Sequence, residues 1–543
     1  MGRTIALLQL DPKVGDLAGN VERIEQLARI AHSAGAQCAV STELAISGYP
    51  PRDLLLRSEF VDNCMKAAQQ IDTPMPILVG TPLRPSSDRR LPGNGVVRCD
   101  EAGVREVVRK QLLPTYDVFD EARYFAPGRS SGLTRSIGGI DLGVTVCEDA
   151  WQHSGHTPAD YECDPIAQMA DWSRQGMSID ATVNLSASPY HLHKSDLRSD
   201  MASKAAKTLG HPFILVNQVG GNDDLIFDGR SLVAWPDGRV DTAPGWQEGV
   251  LIVDLDESSV EWIGEPEPNC DDLLSAVTTG LAGYCQKSGL DKVVLGLSGG
   301  IDSAVCAAVA ARALGPENVI GISMPSRHSS QHSKDDAAAT AQALGIEYQI
   351  RPIDQMHELA EQTMSDELET GHAVAAENLQ SRLRALFVMG VANARGAMAL
   401  ATGNKSELAM GYCTLYGDMA GGYAPLGDLL KTEVYELAKS LNSLTPDDPP
   451  INSSTMQKPP SAELAPDQKD EDNLPPYATL DAILESWIER GVKSTEHDRE
   501  TVDWVIKRLH ANEHKRWQMP PAPRVSQRAF GQGWRQALAS HSA

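Results

Sequence analysis

Val293-Val-Leu-Gly-Leu-Ser-Gly-Gly-Ile-Asp-Ser303 is the stretch around which the chain is organised. Lys292 to Leu297 is a short, mainly apolar run suited to a central parallel strand, and Ile301 to Leu314 is alanine-rich and helical. Between them Gly299 and Gly300 let the backbone turn with its N–H groups exposed, so that a pyrophosphate would sit on the helix N-terminus. An ordinary strand-to-helix turn needs only the glycines; Ser298, Asp302 and Ser303 add the ligand-binding reading. No Gly-Lys-Ser or Gly-Lys-Thr follows, so the Walker pattern is absent. An aspartate beside phosphates is repelled unless a cation lies between them, which makes Mg²⁺ the expected cofactor at Asp302.

Outward from this loop the pattern alternates strand and helix. Val319 to Ser323 and Glu347 to Pro352 read as strands, Ser333 to Leu344 as a helix, and a doubly wound parallel sheet is the natural closure. Met324-Pro-Ser-Arg-His-Ser-Ser330 ends the second strand, beside the first if connections are right-handed and adjacent, where it would line an adenosine pocket. Ala376-Glu-Asn-Leu-Gln-Ser-Arg-Leu-Arg384, Ala401-Thr-Gly-Asn-Lys-Ser-Glu-Leu408 and Gly411-Tyr-Cys-Thr-Leu-Tyr-Gly-Asp418 are dense in polar groups. Thr402 to Glu407, directly after an apolar run, looks like a strand-end ligand loop. Asn378 sits on a helix with an apolar face of Leu379, Leu383 and Leu386, which also suits a solvated amide.

Ser-Gly-Gly-Ile-Asp-Ser resembles the loop of the ATP pyrophosphatases, which cleave ATP between the α and β phosphates to form an adenylate. The pieces in this order resemble the NAD synthetase branch of that group. That resemblance implies that Gly296, Leu297, Ser298, Gly299, Gly300, Ile301, Asp302, Ser303 and Thr402 bind ATP. It also implies that Asp302 and Glu407 reach Mg²⁺, and that Asn378, Glu407 and Lys515 contact deamido-NAD⁺. Lys515 lies in Asn-Glu-His-Lys-Arg-Trp; many members of the family have Tyr where this chain has His514.

The chain of 543 residues is long enough for two domains with sizeable cores. Hydrophobic residues make up 41% and charged residues 22%, as in ordinary globular proteins, and no apolar run is long enough to span a membrane. The N-terminal stretch lacks a signal-peptide pattern, and Ala at position 6 breaks the myristoylation pattern; a cytoplasmic enzyme is the expectation. Nine scattered cysteines without a Cys-x-x-Cys favour neither a disulfide framework nor a thiolate zinc site. A formal net charge of −25 repels polyanions, so nucleic acid is excluded as a partner and a nucleotide substrate needs magnesium and local basic side chains.

Residues 4 to 253 alternate short apolar strands with amphipathic helices. Cys38 to Thr42 is a strand ending in Glu43, Val104 to Leu112 carries Lys110, and Ile140 to Val146 delivers Cys147 at its end. Singly these fit a helix-capping acid, a solvated lysine and a core thiol. Together they match a chemical need: amide hydrolysis by a thiol requires a base for the thiol proton and a positive charge for the oxyanion. Ser-Thr-Glu-Leu-Ala-Ile-Ser-Gly-Tyr-Pro-Pro, Arg-Lys-Gln-Leu-Leu-Pro-Thr-Tyr-Asp-Val-Phe-Asp-Glu and Val-Thr-Val-Cys-Glu-Asp-Ala-Trp resemble the three nitrilase-family motifs. That family implies an α-β-β-α sandwich, a thioester on Cys147, and catalysis by Glu43, Lys110 and Cys147, with Glu121 orienting Lys110. Its glutaminase branch implies that Tyr116, Ser188 and Lys194 hold substrate glutamine.

Apolar periodicity fails around Asp254 to Asp272, which sets the expected boundaries: a nitrilase-like domain at 1–255, a linker at 256–272 and an ATP-pyrophosphatase-type domain at 273–543. Residues 442–476, rich in Pro, Asp, Ser and Lys, read as a mobile lid over the second site. Both halves together resemble the glutamine-dependent NAD⁺ synthetases over nearly the whole chain. The resemblance implies hydrolysis of glutamine, adenylation of deamido-NAD⁺ by ATP with release of pyrophosphate, and displacement of AMP by ammonia along a sheltered path. The expected partners are thus glutamine, ATP and deamido-NAD⁺, and the enzyme is expected to be a homo-oligomer. Another ATP-pyrophosphatase amidotransferase, or a nitrilase-like amidase with an inactive nucleotide-sensing module, stays open at this level.

Overall fold

The computed structural model describes residues 2–370, 374–461, 463–465 and 468–539. The chain divides into two compact units, Met1–Asn222 with Ile226–Asn269, and Asp223–Leu225 with Cys270–Ala543.

Up to residue 264 the strands are β1 (Thr4–Gln9), β2 (Cys38–Val40), β3 (Ile77–Leu83), β4 (Gly93–Asp100), β5 (Gly103–Arg109), β6 (Gly132–Ile137), β7 (Ile140–Val146), β8 (Ala181–Ser186), β9 (Phe213–Asn217), the hairpin β10 (Val219–Asn222) with β11 (Leu225–Asp228), β12 (Leu232–Ala234), β13 (Val240–Thr242), β14 (Gly249–Asp254) and β15 (Ser259–Gly264). Seven form a sheet in the order β15-β14-β1-β2-β3-β4-β5, and six form a second in the order β13-β12-β9-β8-β7-β6. Period-two alternation decides what each face meets. Leu7, Val40 and Leu78 of the first sheet share a core with Val144, Val183 and Ile214 of the second. Ala6, Leu8 and Val79 turn the other way, onto the helices Leu17–Ser33 and Ser58–Gln70. Phe213 and Leu215 do the same for Pro165–Arg174 and Lys194–Leu209. The first unit is therefore the four-layer α-β-β-α sandwich.

Local chemistry fixes the helix ends. The Asp16 side chain accepts from Gly19 N at the head of Leu17–Ser33, and Asp164 with Pro165 at the first turn opens Pro165–Arg174. In the second unit Asp271 caps Asp272–Ser288, which stops at the left-handed Gly289.

The second unit carries β16 (Val293–Gly296), β17 (Val319–Ser323), β18 (Glu347–Ile350) and β19 (Met398–Ala399), all parallel, in the order β18-β17-β16-β19. The chain leaves β16 toward β17 and β18 and returns on the other side as β19. Strand order thus reverses beside β16, and the glycine loop leaves β16 at this switch point. Val294, Ile320 and Ile322 pack against Val388 and Ala392 of the helix Val374–Arg395. A separate helical core joins Lys405–Met410, Tyr477–Ile488 and Arg499–Ala511 with Phe530 and Trp534.

Two expectations about the chain's organisation change. The stretch 256–272 is not all linker: β15 pairs antiparallel with β14 along its whole length, and the units divide between Asn269 and Cys270. β15 is an edge strand in which Val260 and Trp262 turn to the core and Ser259 and Glu261 to water, an alternation too short to stand out in an acidic stretch. Within 442–476 the described residues are not structureless: they include the end of the helix Lys431–Leu444, the helix Ser453–Gln457 and a helical turn at Asp470–Asp472. The part of the lid expectation that falls on Ala462, Pro466 and Asp467 lies outside the described residues.

One close approach positions the Glu43 loop. A Cβ on Gly80 of β3 would stand 2.3 Å from Thr42 O and 2.5 Å from Leu44 N. Gly80→Ala should therefore cost about 1–3 kcal/mol by thermal unfolding, since backbone cannot give way as a flexible side chain can. Gly390→Ala is the control: its Cβ meets nothing within 4 Å inside a helix, and it should be neutral or stabilising by about 0.5–1 kcal/mol. Equal melting of the two variants would show that the Thr42–Leu44 backbone is not pressed against β3.

Candidate active sites

In the first unit Glu43 follows β2, Lys110 follows β5 and Cys147 follows β7. Lys110 Nζ donates to Glu43 Oε1 at 2.7 Å and to Glu121 Oε1 at 2.8 Å, with all three side chains out of water. Glu43 also accepts from Asn94 Nδ2 at 2.7 Å and from Ala187 N at 3.0 Å, and Tyr49 donates to Glu121 at 3.0 Å. Burial alone would pull the Lys110 ammonium down, but Glu121 and Glu43 together drive it well above the usual lysine range, so it stays charged. Burial pushes the Glu121 carboxyl up, to about 7, against the pull of Lys110.

Cys147 is buried, with φ +40°, a left-handed turn that lets the chain leave β7 abruptly into the short helical turn Cys147–Ala150. Burial first, then Glu43, pushes its thiol well above the usual range, while Lys110 pulls it back. The resting group is a thiol. Asp149, two residues on, accepts Gln111 N and Leu112 N through Oδ1, both at 2.9 Å, and Val146 N through Oδ2 at 3.1 Å. One carboxylate thus ties the end of β5, which carries Lys110, to the end of β7, which carries Cys147.

The residues expected to hold glutamine lie around this turn. Tyr116 donates to both oxygens of Glu148, at 2.9 and 3.1 Å, and Thr157 and Tyr161 donate to Glu148 Oε1 at 3.0 Å. Lys194 Nζ stands 4.1 Å from the Trp151 ring centroid. Ser188 is buried after β8, its backbone N–H bonded to Asn217 Oδ1 at 2.9 Å. Glu148 and Asp149 stand inside a stretch that sequence reading quoted but gave no role.

In the second unit a cavity of about 270 Å³ opens at the switch point. Gly296 to Ser298, Gly300 to Ser303, Thr402 and Glu407 line it, together with Met324 and Pro325. Gly299 does not: at φ +82° its Cβ position would fall 2.1 Å from Ser333 O, so only glycine lets the helix Gln331–Leu344 approach the loop. Ser298 Oγ accepts from Gly300 N at 3.2 Å and lies 3.1 Å from Ser303 Oγ, which braces the turn.

Lys431 is the residue sequence reading missed. Its Nζ contacts Asp302 Oδ2 and lies 3.2 Å from Glu407 Oε1, and it is buried at the head of Lys431–Leu444. A cation at a helix N-terminus is opposed by the dipole, which is the one signal that it answers an anion. Asn404 Nδ2 donates to Asp302 Oδ1 at 2.9 Å and caps the helix that bears Glu407. Burial pushes the Glu407 carboxyl up, to about 8, against Lys431 and with Asp302 adding to the push. Asp470, held by the Tyr477 hydroxyl at 2.8 Å, brings a third carboxylate to the same cavity. One ammonium faces three carboxylates, so the donor set is hard oxygen with an excess of negative charge, which fits a divalent cation. Among the described residues no group of three or more His, Cys, Asp or Glu is set to hold a metal ion by itself.

Asn378 and Lys515 are not among the lining residues. Asn378 Oδ1 accepts from Thr414 Oγ1 at 2.7 Å, and Lys515 Nζ donates to Gly411 O at 2.7 Å and Cys413 O at 2.8 Å. Both converge on the loop 411–418, whose Tyr412, Gly417 and Asp418 do line the cavity. From 442–476, Lys458 and Glu463 pair at 2.7 Å and Glu463 accepts from Ser333 Oγ at 2.6 Å, which lays this segment across the cavity.

The two constellations match two known families in the same order. The carbon-nitrogen hydrolase family matches residues 4–263 and the NAD synthase family residues 273–520. The glutamine-dependent NAD(+) synthetase of Synechocystis sp. is 42% identical, with 99% of this chain and 98% of that protein aligned. The enzyme of the same name from Thermotoga maritima is 37% identical over 98% of each chain. Among solved structures, the glutamine-dependent NAD+ synthetase of Acinetobacter baumannii in complex with adenosine diphosphate superposes with a TM-score of 0.76 at 33% identity, over 99% of this chain and 98% of that one. No described helix is long and apolar enough to cross a membrane. A buried thiol–lysine–glutamate site and a phosphate-loop site, carried by one chain that aligns end to end with these enzymes, have one common explanation: the protein belongs to the glutamine-dependent NAD⁺ synthetase family.

Proposed function

We propose a division of labour for the two sites of this enzyme, which makes NAD⁺ with glutamine as the nitrogen donor. The observation that carries it is the buried Glu43–Lys110–Glu121 chain beside Cys147. Glu43 takes the thiol proton as Sγ attacks the side-chain carbonyl of glutamine, and Lys110 stabilises the oxyanion. The proton passes to the departing nitrogen, ammonia leaves, and a thioester remains on Cys147. Water, deprotonated by Glu43, then releases glutamate and restores the thiol. Glu148, ringed by three hydroxyls, is the acceptor for the α-ammonium of glutamine, with Tyr116, Ser188 and Lys194 around the substrate.

In the second unit the carboxylate of deamido-NAD⁺ attacks the α-phosphorus of ATP, pyrophosphate leaves, and ammonia displaces AMP from the acyl carbon. Residues 296–303 and Thr402 hold the nucleotide, with loop N–H groups and the helix N-terminus facing phosphate. Glu407 faces deamido-NAD⁺, and Asn378 and Lys515 contact it from beside the loop 411–418 that they hold. Asp302 and Glu407 would hold Mg²⁺, whose chemistry there is to neutralise phosphate charge; substrate phosphates would complete its shell. Lys431 holds both carboxylates in place.

Cys147→Ala should abolish glutamine-dependent NAD⁺ formation and retain ammonia-dependent formation, whereas Asp302→Ala or Glu407→Ala should abolish both. NAD⁺ and AMP release with each nitrogen source decides it, and glutamine use by folded Cys147→Ala would refute the nucleophile.

A thiol with a raised pKa has less thiolate at a given pH than a free one. Alkylation of Cys147 by N-ethylmaleimide, followed by mass spectrometry, should therefore be slower than that of free cysteine at pH 7.5. It should also climb about tenfold per pH unit beyond pH 9, since only the thiolate reacts. Fast alkylation that does not change with pH down to 6 would mean a preformed thiolate–Lys110 pair instead.

A further inference from the structure

We propose that Lys405 and the C-terminal stretch Val525–Phe530 are positioning elements of the adenylation site: they hold the short helix that presents Asn404 and Glu407. The inference rests on the adenylation role proposed for Glu407. Of the residues involved, Lys405 and Asp428 lie within the matched family region and Val525–Phe530 lies beyond its end at 520.

The helix Lys405–Met410 has six residues, too few to be fixed by its own hydrogen bonds. Side chains must set its direction. Lys405, almost wholly buried, spends its three donors on Asp428 Oδ1 at 2.9 Å, Ser526 Oγ at 2.7 Å and Arg528 O at 3.1 Å. Asp428 in turn accepts the amides of Val525 and Ser526, both at 2.8 Å, and the Ser526 hydroxyl at 2.9 Å. The Phe530 ring centroid lies 5.9 Å from the same ammonium.

The residues on either side face the reaction. Asn404 reaches Asp302 at 2.9 Å and accepts Glu407 N at 3.0 Å, while Glu407 Oε1 meets Lys431 at 3.2 Å. Ser406 closes the remaining side, donating to Asp481 at 2.5 Å and accepting Lys431 N at 2.9 Å. Of four consecutive residues the outer two, Asn404 and Glu407, engage the Asp302–Lys431 cluster and the inner two, Lys405 and Ser406, are tied to buried anchors, so a tilt of this one turn moves both outer side chains at once. Packing alone does not ask for lysine here. The helix dipole opposes a cation in the first turn, and an apolar side chain of similar volume would avoid desolvating a charge. What the charge adds is direction: an ammonium with three fixed acceptors has one orientation, an apolar chain several.

Three variants test this: Ser526→Ala, Lys405→Met, and Lys405→Met with Asp428→Asn, which removes both charges of the closest buried pair and leaves Glu489, 3.8 Å from Nζ, as the remaining carboxylate. Ammonia-dependent turnover and amide hydrogen exchange over residues 405–410 are the readouts, and glutamine hydrolysis by the first unit shows that the chain is folded. The double variant should keep its KM for deamido-NAD⁺ within about twofold, lose roughly 100-fold in kcat, and exchange faster over 405–410, as misplacement by an ångström implies. Ser526→Ala should show the same pattern at about tenfold, having lost one acceptor of three. If the double variant recovers normal kcat and exchange, Lys405 only balances Asp428, and the inference is overturned; Ser526→Ala with unchanged kcat and exchange overturns it for the tail. Normal ammonia-dependent turnover in Glu407→Ala would instead remove the adenylation reading itself.

Discussion

A lysine ammonium taken out of water costs several kcal/mol unless carboxylates meet it, and this chain does so at the centre of each site. Lys110 lies between Glu43 and Glu121, Lys431 between Asp302 and Glu407. Each ammonium fixes two carboxylates from distant parts of the sequence at charge-assisted hydrogen-bond distance. Removing one partner would strand a buried charge at about 3–5 kcal/mol, so the surroundings are over-determined. Around Lys110 that shows as Asn94 and Ala187 N on Glu43 and Tyr49 on Glu121 Oε1, which leaves Glu121 Oε2 without a hydrogen-bond partner among the described residues. Around Lys431 it shows as Asn404 on Asp302 and Ser406 on the backbone of Lys431.

The parts of this arrangement that lie at strand ends were legible in the sequence. β7, β8 and β16 are buried almost throughout and read as short apolar runs, so Cys147 and the glycine loop are found by reading to where each run stops. Lys431 opens an amphipathic helix directly after Leu429 and Leu430, and nothing in its local pattern separates it from a solvated lysine except its place in the first turn. Asp149 stands two residues from the nucleophile, but its role depends on Gln111 and Leu112 being neighbours, a contact that no periodicity encodes. Strand order is hidden for the same reason: β1 pairs with β14 from the far end of its unit. β15 was read as linker because its alternation, Val260 and Trp262 toward the core, is too short to stand out in an acidic stretch.

The two ammonium ions do different work because their surroundings differ in charge balance. In the first unit Lys110 faces Glu43, Glu121 and a neutral thiol. A negative tetrahedral oxygen arriving there meets an ammonium already held and charged, with no reorganisation needed at the moment of attack. On the proposed mechanism the raised Cys147 pKa leaves deprotonation to the step at which substrate is present.

In the second unit a third carboxylate joins the pair. Asp302, Glu407 and Asp470 outnumber Lys431, and the Glu407 carboxyl is pushed up because burial and Asp302 together exceed what one ammonium returns. Lys334, Arg384 and Lys458 line the cavity too, so this excess is local to the Asp302–Glu407–Asp470 cluster, which suits a divalent cation and would repel a bare phosphate. On the proposed reading the cation relieves both repulsions at once, that of carboxylate against carboxylate and that of carboxylate against phosphate. Linkage then makes the effect reciprocal: cation and nucleotide each raise the other's affinity by the same factor, because the same contacts separate the two states. The loop 296–303 contributes dipoles rather than full charges, so it can orient phosphate without supplying the missing positive charge. On the proposed reading the Asp302–Glu407–Asp470 cluster sets the requirement for a divalent cation, while the glycine loop and the basic side chains of Lys334, Arg384 and Lys458 that share the cavity set where phosphates are held.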